Sequence, residues 1–312
     1  ISSGNILGLH RGNLKEFITN NYESIKEYIE FYNIMSQSLK YAVFGSGSWA
    51  TAIVKMLCEN LDEVGWYMRS VYTKEHLIKE QHNPSYFSSV EFHLEQLKLS
   101  NDINEVINAA DNLIFAVPSA FIYSELQELT IPLKDKKVFS AIKGIVPETG
   151  LIVGEHLNET YEIPFDNIGV ITGPCHAEEV ALERLSYLTV ACANEDNAKF
   201  FAKYLTCDYI NVKTSEDVTG TEYAAMLKNI YAIAAGIAHG LGYGDNFQSV
   251  LMSNAIREMK RFIKKVYKMK RNINDSAYLG DLLVTGYSVF SRNRMFGNMI
   301  GKGYTVKSAQ ME

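Results

Sequence analysis

Gly45, Gly47 and Ala50 stand in a Gly-x-Gly-x-x-Ala arrangement, and that spacing has a chemical use. The first glycine permits a tight turn, and the second lets backbone amides approach a pyrophosphate. The small third residue lets the following helix pack closely on the preceding strand. Ser48 and Trp49 fall in the first turn of that helix, whose free N–H groups and partial positive charge favour phosphate oxygens. KYAVF (40–44) ahead of the loop reads as a strand, and TAIVKMLCENL behind it as a helix. Together these mark a dinucleotide turn, for NAD(H), NADP(H) or both. An acidic residue at the end of the second strand would bond the ribose 2′-hydroxyl of NAD. This chain has GWYMRS there, with Arg69 at about the expected distance. A guanidinium fork suits a 2′-phosphate, so the sequence permits NADP; a solvated surface charge is the other reading of Arg69.

The elements that must position this chemistry follow from periodicity. EVGWYM (63–68), NLIFAVP (112–118), KKVFSAI (136–142), NIGVI (167–171), YLTVACA (187–193) and DYINV (208–212) have strand length and composition. Helix-like segments such as SAFIYSELQEL alternate with them, which predicts an α/β, doubly wound front half with a parallel sheet. From about residue 216 the chain reads as helical, with EDVTGTEYAAMLKNIYAIAAGIAHGLG followed by NFQSVLMSNAIREMKRFIKKVYKM. The stretch AIAAGIA suits a helix buried on most sides. The organisation expected is an extension of unknown role over 1–38, a nucleotide-binding α/β domain over 39–216 and an all-α domain over 217–312. LKEFITNNYESIKEYIEFYNI within the extension has amphipathic helical spacing, and Met35 is an alternative start. In KRFIKKVYKMKR (260–271), Phe262, Ile263, Val266 and Tyr267 recur at helical spacing, which turns them inward and leaves the lysines as a solvated face.

Composition removes several classes. A net charge of −6 argues against a nucleic-acid binder. No apolar run approaches the roughly 18 residues of a membrane span, and ISSGNILGLHRGN lacks the features of a secretory signal. Cys58, Cys175, Cys192 and Cys207 form no CxxC pair, and the seven histidines include no HExxH, so reduced thiols and no metal site are expected. A cytoplasmic protein without stable membrane insertion fits these features.

AVPS (116–119), IKGI (142–145), GPCHAEEVA (173–181), EYAAMLKNIYAIAAGIAHGLGYGDN (222–246) and LGDLLVTGYSVFSRNRMFG (279–297) appear in that order after GSGSWAT. Together they resemble the bacterial-type NAD(P)-dependent glycerol-3-phosphate dehydrogenases, from about residue 39 onward. The resemblance implies a Rossmann-type domain followed by a helical substrate domain, and a homodimer. It implies reversible reduction of dihydroxyacetone phosphate to sn-glycerol 3-phosphate, the backbone precursor of glycerophospholipids. By the same resemblance Lys228 is the proton-transfer lysine, with Lys143 and Asp281 as its catalytic companions and Asn229 helping to orient substrate. Lys143, Gly173, Cys175, Thr285, Ser291, Arg292 and Asn293 complete the substrate set. Pro118, Lys143, Ala177 and Arg292 join Gly45, Gly47, Ser48, Trp49, Ala50 and Arg69 around the cofactor.

Residue chemistry agrees with these roles. Ketone reduction needs a proton donor for the developing alkoxide, and the reverse reaction needs a base. A lysine serves as that base only if burial or neighbouring cations lower its pKa. The Arg292 fork and the Asn293 amide match phosphate oxygens, and a helix opening at Ser291-Arg292-Asn293 would add free amides. Each residue also has a structural reading. Lys228 could snorkel to solvent, and Asp281 could cap the helix starting at LLVT. Cys175 has no apparent base and is not read as a nucleophile. The chain departs from the family in having Cys175 where serine or threonine is common and His176 where an aromatic is usual. It stops before a glutamate and an aliphatic residue with which the family touches its cofactor. Another two-domain hydroxy-acid dehydrogenase, or a non-catalytic nucleotide sensor, would share the glycine loop.

Overall fold

The structure is a computed structural model that describes residues 39–311. The extension over 1–38 with its amphipathic segment and Met35 lies outside the described residues. Short runs rich in Val, Ile, Leu and Phe form eight strands: β1 (Leu39–Phe44), β2 (Val64–Tyr67), β3 (Leu97–Ser100), β4 (Ala110–Phe115), β5 (Lys137–Ser140), β6 (Ile168–Thr172), β7 (Ser186–Cys192) and β8 (Ile210–Ser215). They make one sheet in the order β3-β2-β1-β4-β5-β6-β7-β8. Pairs β1–β2, β2–β3, β4–β5, β5–β6 and β7–β8 are parallel, whereas β6 and β7 are antiparallel. The parallel sheet expected from alternation is present, with that one antiparallel pair as the exception. Residues 173–185 join β6 to β7 and hold only the five-residue helix α6 (Ala177–Ala181), which spans about 7 Å and is too short to carry the chain back along the sheet for a parallel return.

The remaining front-half helices are α1 (Ser48–Cys58), α2 (Val71–Glu80), α3 (Ile103–Ala109), α4 (Ser119–Leu126), α5 (Val153–Tyr161) and α7 (Glu195–Leu205). In α1 the buried Ala50, Ile53, Val54 and Leu57 repeat at the spacing of one helix face. The core they enter is built on Tyr41, Val43, Trp66, Phe139 and Phe201, all almost fully buried. Strand β3 is an addition to the sequence reading. LKLS lies at the sheet edge with Lys98 exposed, so it offers no continuous apolar run to detect.

The back half comprises α8 (Val218–Gly240), α9 (Asp245–Val266), a π-helical turn (Ser276–Gly280), α10 (Asp281–Tyr287), α11 (Arg292–Gly301) and α12 (Val306–Met311). Asp217 caps α8 and is buried, and its charge is fully engaged. It accepts from Gly220 N at 3.0 Å, Arg271 Nε at 2.6 Å, Arg271 Nη2 at 3.1 Å and the Tyr278 hydroxyl at 2.5 Å. Arg271 therefore leaves the basic run and folds back onto the start of α8. A correction concerns that run. Ile263 is buried, but Phe262, Val266 and Tyr267 are exposed, and the helix ends at Val266.

Helices α8 and α11 cross with their backbones in contact. A Cβ on Gly236 would overlap the Arg294 carbonyl, and one on Gly240 the Asn298 carbonyl. From the other side, a Cβ on Gly297 would overlap the Ile233 carbonyl, and one on Gly301 the Ile237 carbonyl. Alanine is the better helix former by about 1 kcal/mol, so Gly297→Ala would stabilise an uncrowded helix. Here it should instead lower the unfolding free energy by about 2 kcal/mol, measured by denaturant titration.

Candidate functional site

In an open α/β sheet the loops after strands that send their helices to opposite sides leave a crevice at the strand ends. Here β1 and β4 are neighbours, and the loops following them line a cleft of about 510 Å³. Gly45 has φ +122°, a conformation that L side chains rarely adopt, and a Cβ there would sit 2.8 Å from the Ala116 carbonyl oxygen. Gly47 caps α1 through its backbone alone and has open space before it, with nothing within 4 Å of a Cβ position. The first-turn amides of α1 therefore have no side-chain acceptor. The turn is braced from behind: Trp66 Nε1 donates to Gly45 O at 2.7 Å, and Asn83 Nδ2 donates to Ser46 O at 3.0 Å and Thr51 Oγ1 at 2.9 Å. This rigid, amide-lined and open turn fits a pyrophosphate.

The opposite side of the cleft comes from the helical half. Lys228 and Asn229 of α8, Thr285 of α10, and Ser291, Arg292 and Asn293 at the start of α11 all line it. Ser291 is the N-cap of α11, and its hydroxyl accepts from Arg294 N at 3.3 Å. The helix thus opens at Ser291-Arg292, with its N-terminal amides toward the cleft. The side chains of Asn229, Arg292 and Asn293 make no hydrogen bond or ion pair among the described residues. Free donors of this kind around a helix N-terminus suit an anion.

Between the two halves lies a buried charge cluster. Lys228 Nζ donates to Asp281 Oδ1 at 2.5 Å, with the Asp281 side chain only 2% exposed. Thr172 donates to the other carboxylate oxygen at 3.3 Å, and Thr285 donates to the Asp281 carbonyl at 2.7 Å. Asp281 opens α10, yet its carboxylate turns to Lys228 instead of capping its own helix. Lys143 Nζ donates to the Ile171 carbonyl at 2.5 Å. Burial, and then the charge of Lys228, push the Lys143 pKa down to about 8. Cys175 is pushed up to about 12 by burial, which keeps it a neutral thiol. His176 is moved down from its ordinary value by burial and then by Lys228, so its imidazole is neutral.

Most residues singled out in the sequence converge on this one cleft. Gly47, Ser48, Trp49, Pro118, Lys143, Gly173, Cys175, Ala177, Lys228, Asn229, Thr285, Ser291, Arg292 and Asn293 all line it. Gly45 and Ala50 support the turn from beneath, and Asp281 stands behind Lys228. Arg69 is apart: its guanidinium is 70% exposed and paired with Glu125 at 2.9 Å. Sequence reasoning missed Thr172, Asn83 and Glu222. Thr172 had a signal, since it immediately precedes Gly173. Asn83 had none, lying in a loop more than thirty residues from the turn it braces. Glu222, two turns before Lys228 in α8, accepts from Gly154 N at 3.0 Å at the start of α5. Burial pushes its pKa up to about 8.

Comparison with known proteins shows the family. The family model for the N-terminal part of NAD-dependent glycerol-3-phosphate dehydrogenase matches residues 40–198, and that for the C-terminal part matches residues 217–312. The chain belongs to the NAD-dependent glycerol-3-phosphate dehydrogenase family. A curated relative from Macrococcus caseolyticus, named glycerol-3-phosphate dehydrogenase [NAD(P)+], is 35% identical over 273 residues, covering 87% of this chain and 82% of its own. A second of the same name, from an Exiguobacterium species, is 37% identical over 84% of this chain and 77% of its own length. The crystal structure of glycerol-3-phosphate dehydrogenase from Coxiella burnetii superposes with a TM-score of 0.79 at 28% identity, covering 88% of this chain and 83% of that one.

The pair at the centre of the cleft makes a direct prediction. Asp281→Asn leaves the Lys228 ammonium enclosed without a counter-charge, which should lower the unfolding free energy by about 3 kcal/mol. Denaturant titration at neutral pH checks this, and a change within about 0.5 kcal/mol would show that the pair does not hold the helices together.

Proposed function

We propose that this protein is an NAD(P)-dependent sn-glycerol-3-phosphate dehydrogenase that reversibly reduces dihydroxyacetone phosphate. One observation carries the reading: an amide-lined turn at α1 and a cationic helix start at α11 face a single cleft, with the Lys228–Asp281 pair between them. Two phosphate-bearing molecules would then meet with their reactive ends at the lysine. When bound, the nicotinamide supplies or accepts the hydride at substrate C2.

The protein's own residues do the rest. The turn at Gly45–Ala50 and the α1 amides hold the pyrophosphate, with Pro118 and Ala177 flanking the cofactor. Arg292, Asn293 and the α11 N-terminus hold the substrate phosphate, and Asn229, Thr285 and Ser291 orient the three-carbon body. Gly173 and Cys175 close the loop beside the substrate. Lys228 Nζ gives its proton to the oxygen developing on C2, and takes it back in the reverse direction. Asp281 keeps that ammonium aimed and offsets its charge. Lys143 adds a second cation near the same oxygen, where charge in a dry site counts for more than in water. Arg69 would exchange Glu125 for a 2′-phosphate and so favour NADP. The division near residues 213–220, a homodimer and a cytoplasmic location are part of the same proposal, as is a role supplying the backbone of glycerophospholipids.

Dihydroxyacetone-phosphate-dependent oxidation of NADH and NADPH, measured side by side, tests this reading. Turnover is expected, and the ratio of rates reports on Arg69. Cofactor binding without turnover would overturn it in favour of a sensor. Turnover only with a hydroxy-acid substrate would move the assignment to another dehydrogenase class.

The Lys143 ionisation adds a pH prediction. Its folded-state pKa of about 8 means that the cation is present below pH 8 and lost above it. The kcat/KM for reduction should therefore fall as pH rises through about 8. In Lys143→Arg, whose charge persists, the fall should move to higher pH. An unchanged profile would detach Lys143 from the reaction.

A further inference from the structure

Between Lys260 and Arg271 seven of twelve residues are basic and none is acidic, in a chain whose net charge is −6. Arg271 is withdrawn to Asp217. The other six, Lys260, Arg261, Lys264, Lys265, Lys268 and Lys270, are exposed. None of them makes a hydrogen bond or ion pair among the described residues. Lys264 and Lys265 favour the negative end of the α9 dipole, but six like charges crowded on one helix end also repel one another, which offsets that gain. Apolar side chains are interleaved with them: Phe262 is 39% exposed, Val266 47% and Tyr267 46%. Phe262 and Val266 are one turn apart and share a side of α9, while Met259 and Ile263 face the core.

We propose that this end of α9 docks the protein onto an anionic lipid bilayer, with the lysines on the headgroups and Phe262, Val266 and Tyr267 in the interface. Five of the seven cations in the run are lysines, which act as flexible, hydrated point charges. They suit a diffuse field of phosphates better than one geometrically fixed anion. The apolar residues decide between anionic polymers and membranes. A nucleic acid would use the cations but leave Val266 in water, whereas a bilayer interface accepts both kinds of side chain. With no helix among the described residues long and apolar enough to cross a membrane, the attachment is peripheral. Its electrostatic part is screened by salt. None of these residues lines the cleft, so the surface can be altered without touching the chemistry.

Co-sedimentation of the full chain with vesicles tests the proposal. Vesicles of phosphatidylcholine containing about a third phosphatidylglycerol should bind the protein at about 0.1 M salt and release it near 1 M, whereas pure phosphatidylcholine should not bind it. The triple charge reversal Lys264→Glu, Lys265→Glu, Lys268→Glu should weaken binding by at least about 100-fold. Turnover measured on the same preparation should be unchanged. Val266→Asp, a single exposed change, should also weaken binding and serves if the triple variant fails to fold. Absence of sedimentation, equal sedimentation with neutral vesicles, or retained binding in folded variants would each overturn the proposal. So would binding of a DNA duplex as tight as that of the vesicles at the same salt.

Discussion

Two helix backbones cannot touch unless both lack side chains at the crossing, and the cleft depends on such a crossing. Gly236 and Gly240 in α8 meet Gly297 and Gly301 in α11 with no room for a Cβ on either side. This contact sets where α11 begins relative to α8, and hence where Arg292 and Asn293 stand relative to Lys228 and Asn229. A rigid approach matters because positioning within a fraction of an ångström separates a productive site from an idle one. The buried Asp217 cluster adds a second fixed point. It ties the start of α8 to Arg271, and to Tyr278 in the π-turn that leads into Asp281.

The charges in the cleft are balanced unevenly, and the imbalance is useful. Lys143, Lys228 and Arg292 supply three cations, against two carboxylates, the buried one of Asp281 and that of Glu178 in the cleft lining. A buried pair such as Lys228–Asp281 is weak evidence for net stability, since desolvation offsets much of its Coulomb energy. Its value lies in direction: the ammonium is held in one orientation and shielded from solvent. The remaining positive charge suits a phosphorylated substrate and an oxygen that becomes negative during reaction.

The glycine turn, seven of the eight strands and the long α8 were legible in the sequence, because each is a local pattern of apolar period and turn residues. Strand β3 was not, since its edge position leaves Lys98 exposed and interrupts the run. The antiparallel β6–β7 pair follows from how short the helix between the two strands is, which the composition of the strands does not encode. Gly236 inside AIAAGIA announced a buried helix but not its partner. Thr172 and Asp281, 109 positions apart, meet only through the fold. Periodicity placed Phe262 and Val266 on one side of α9, but not whether anything covers that side. Asp281 was open to a capping role until its carboxylate was seen turned to Lys228.

The central claim is that Lys228 moves the proton at substrate C2, and turnover of Lys228→Ala with and without an added primary alkylamine tests it most directly. The expected result is a loss of at least about 10³-fold in kcat with cofactor affinity retained. Small amines should restore part of the rate, and more so as the amine matches the missing side chain. Near-normal kcat without any amine would contradict the claim and leave the two helix N-termini as a binding cleft whose proton donor lies elsewhere.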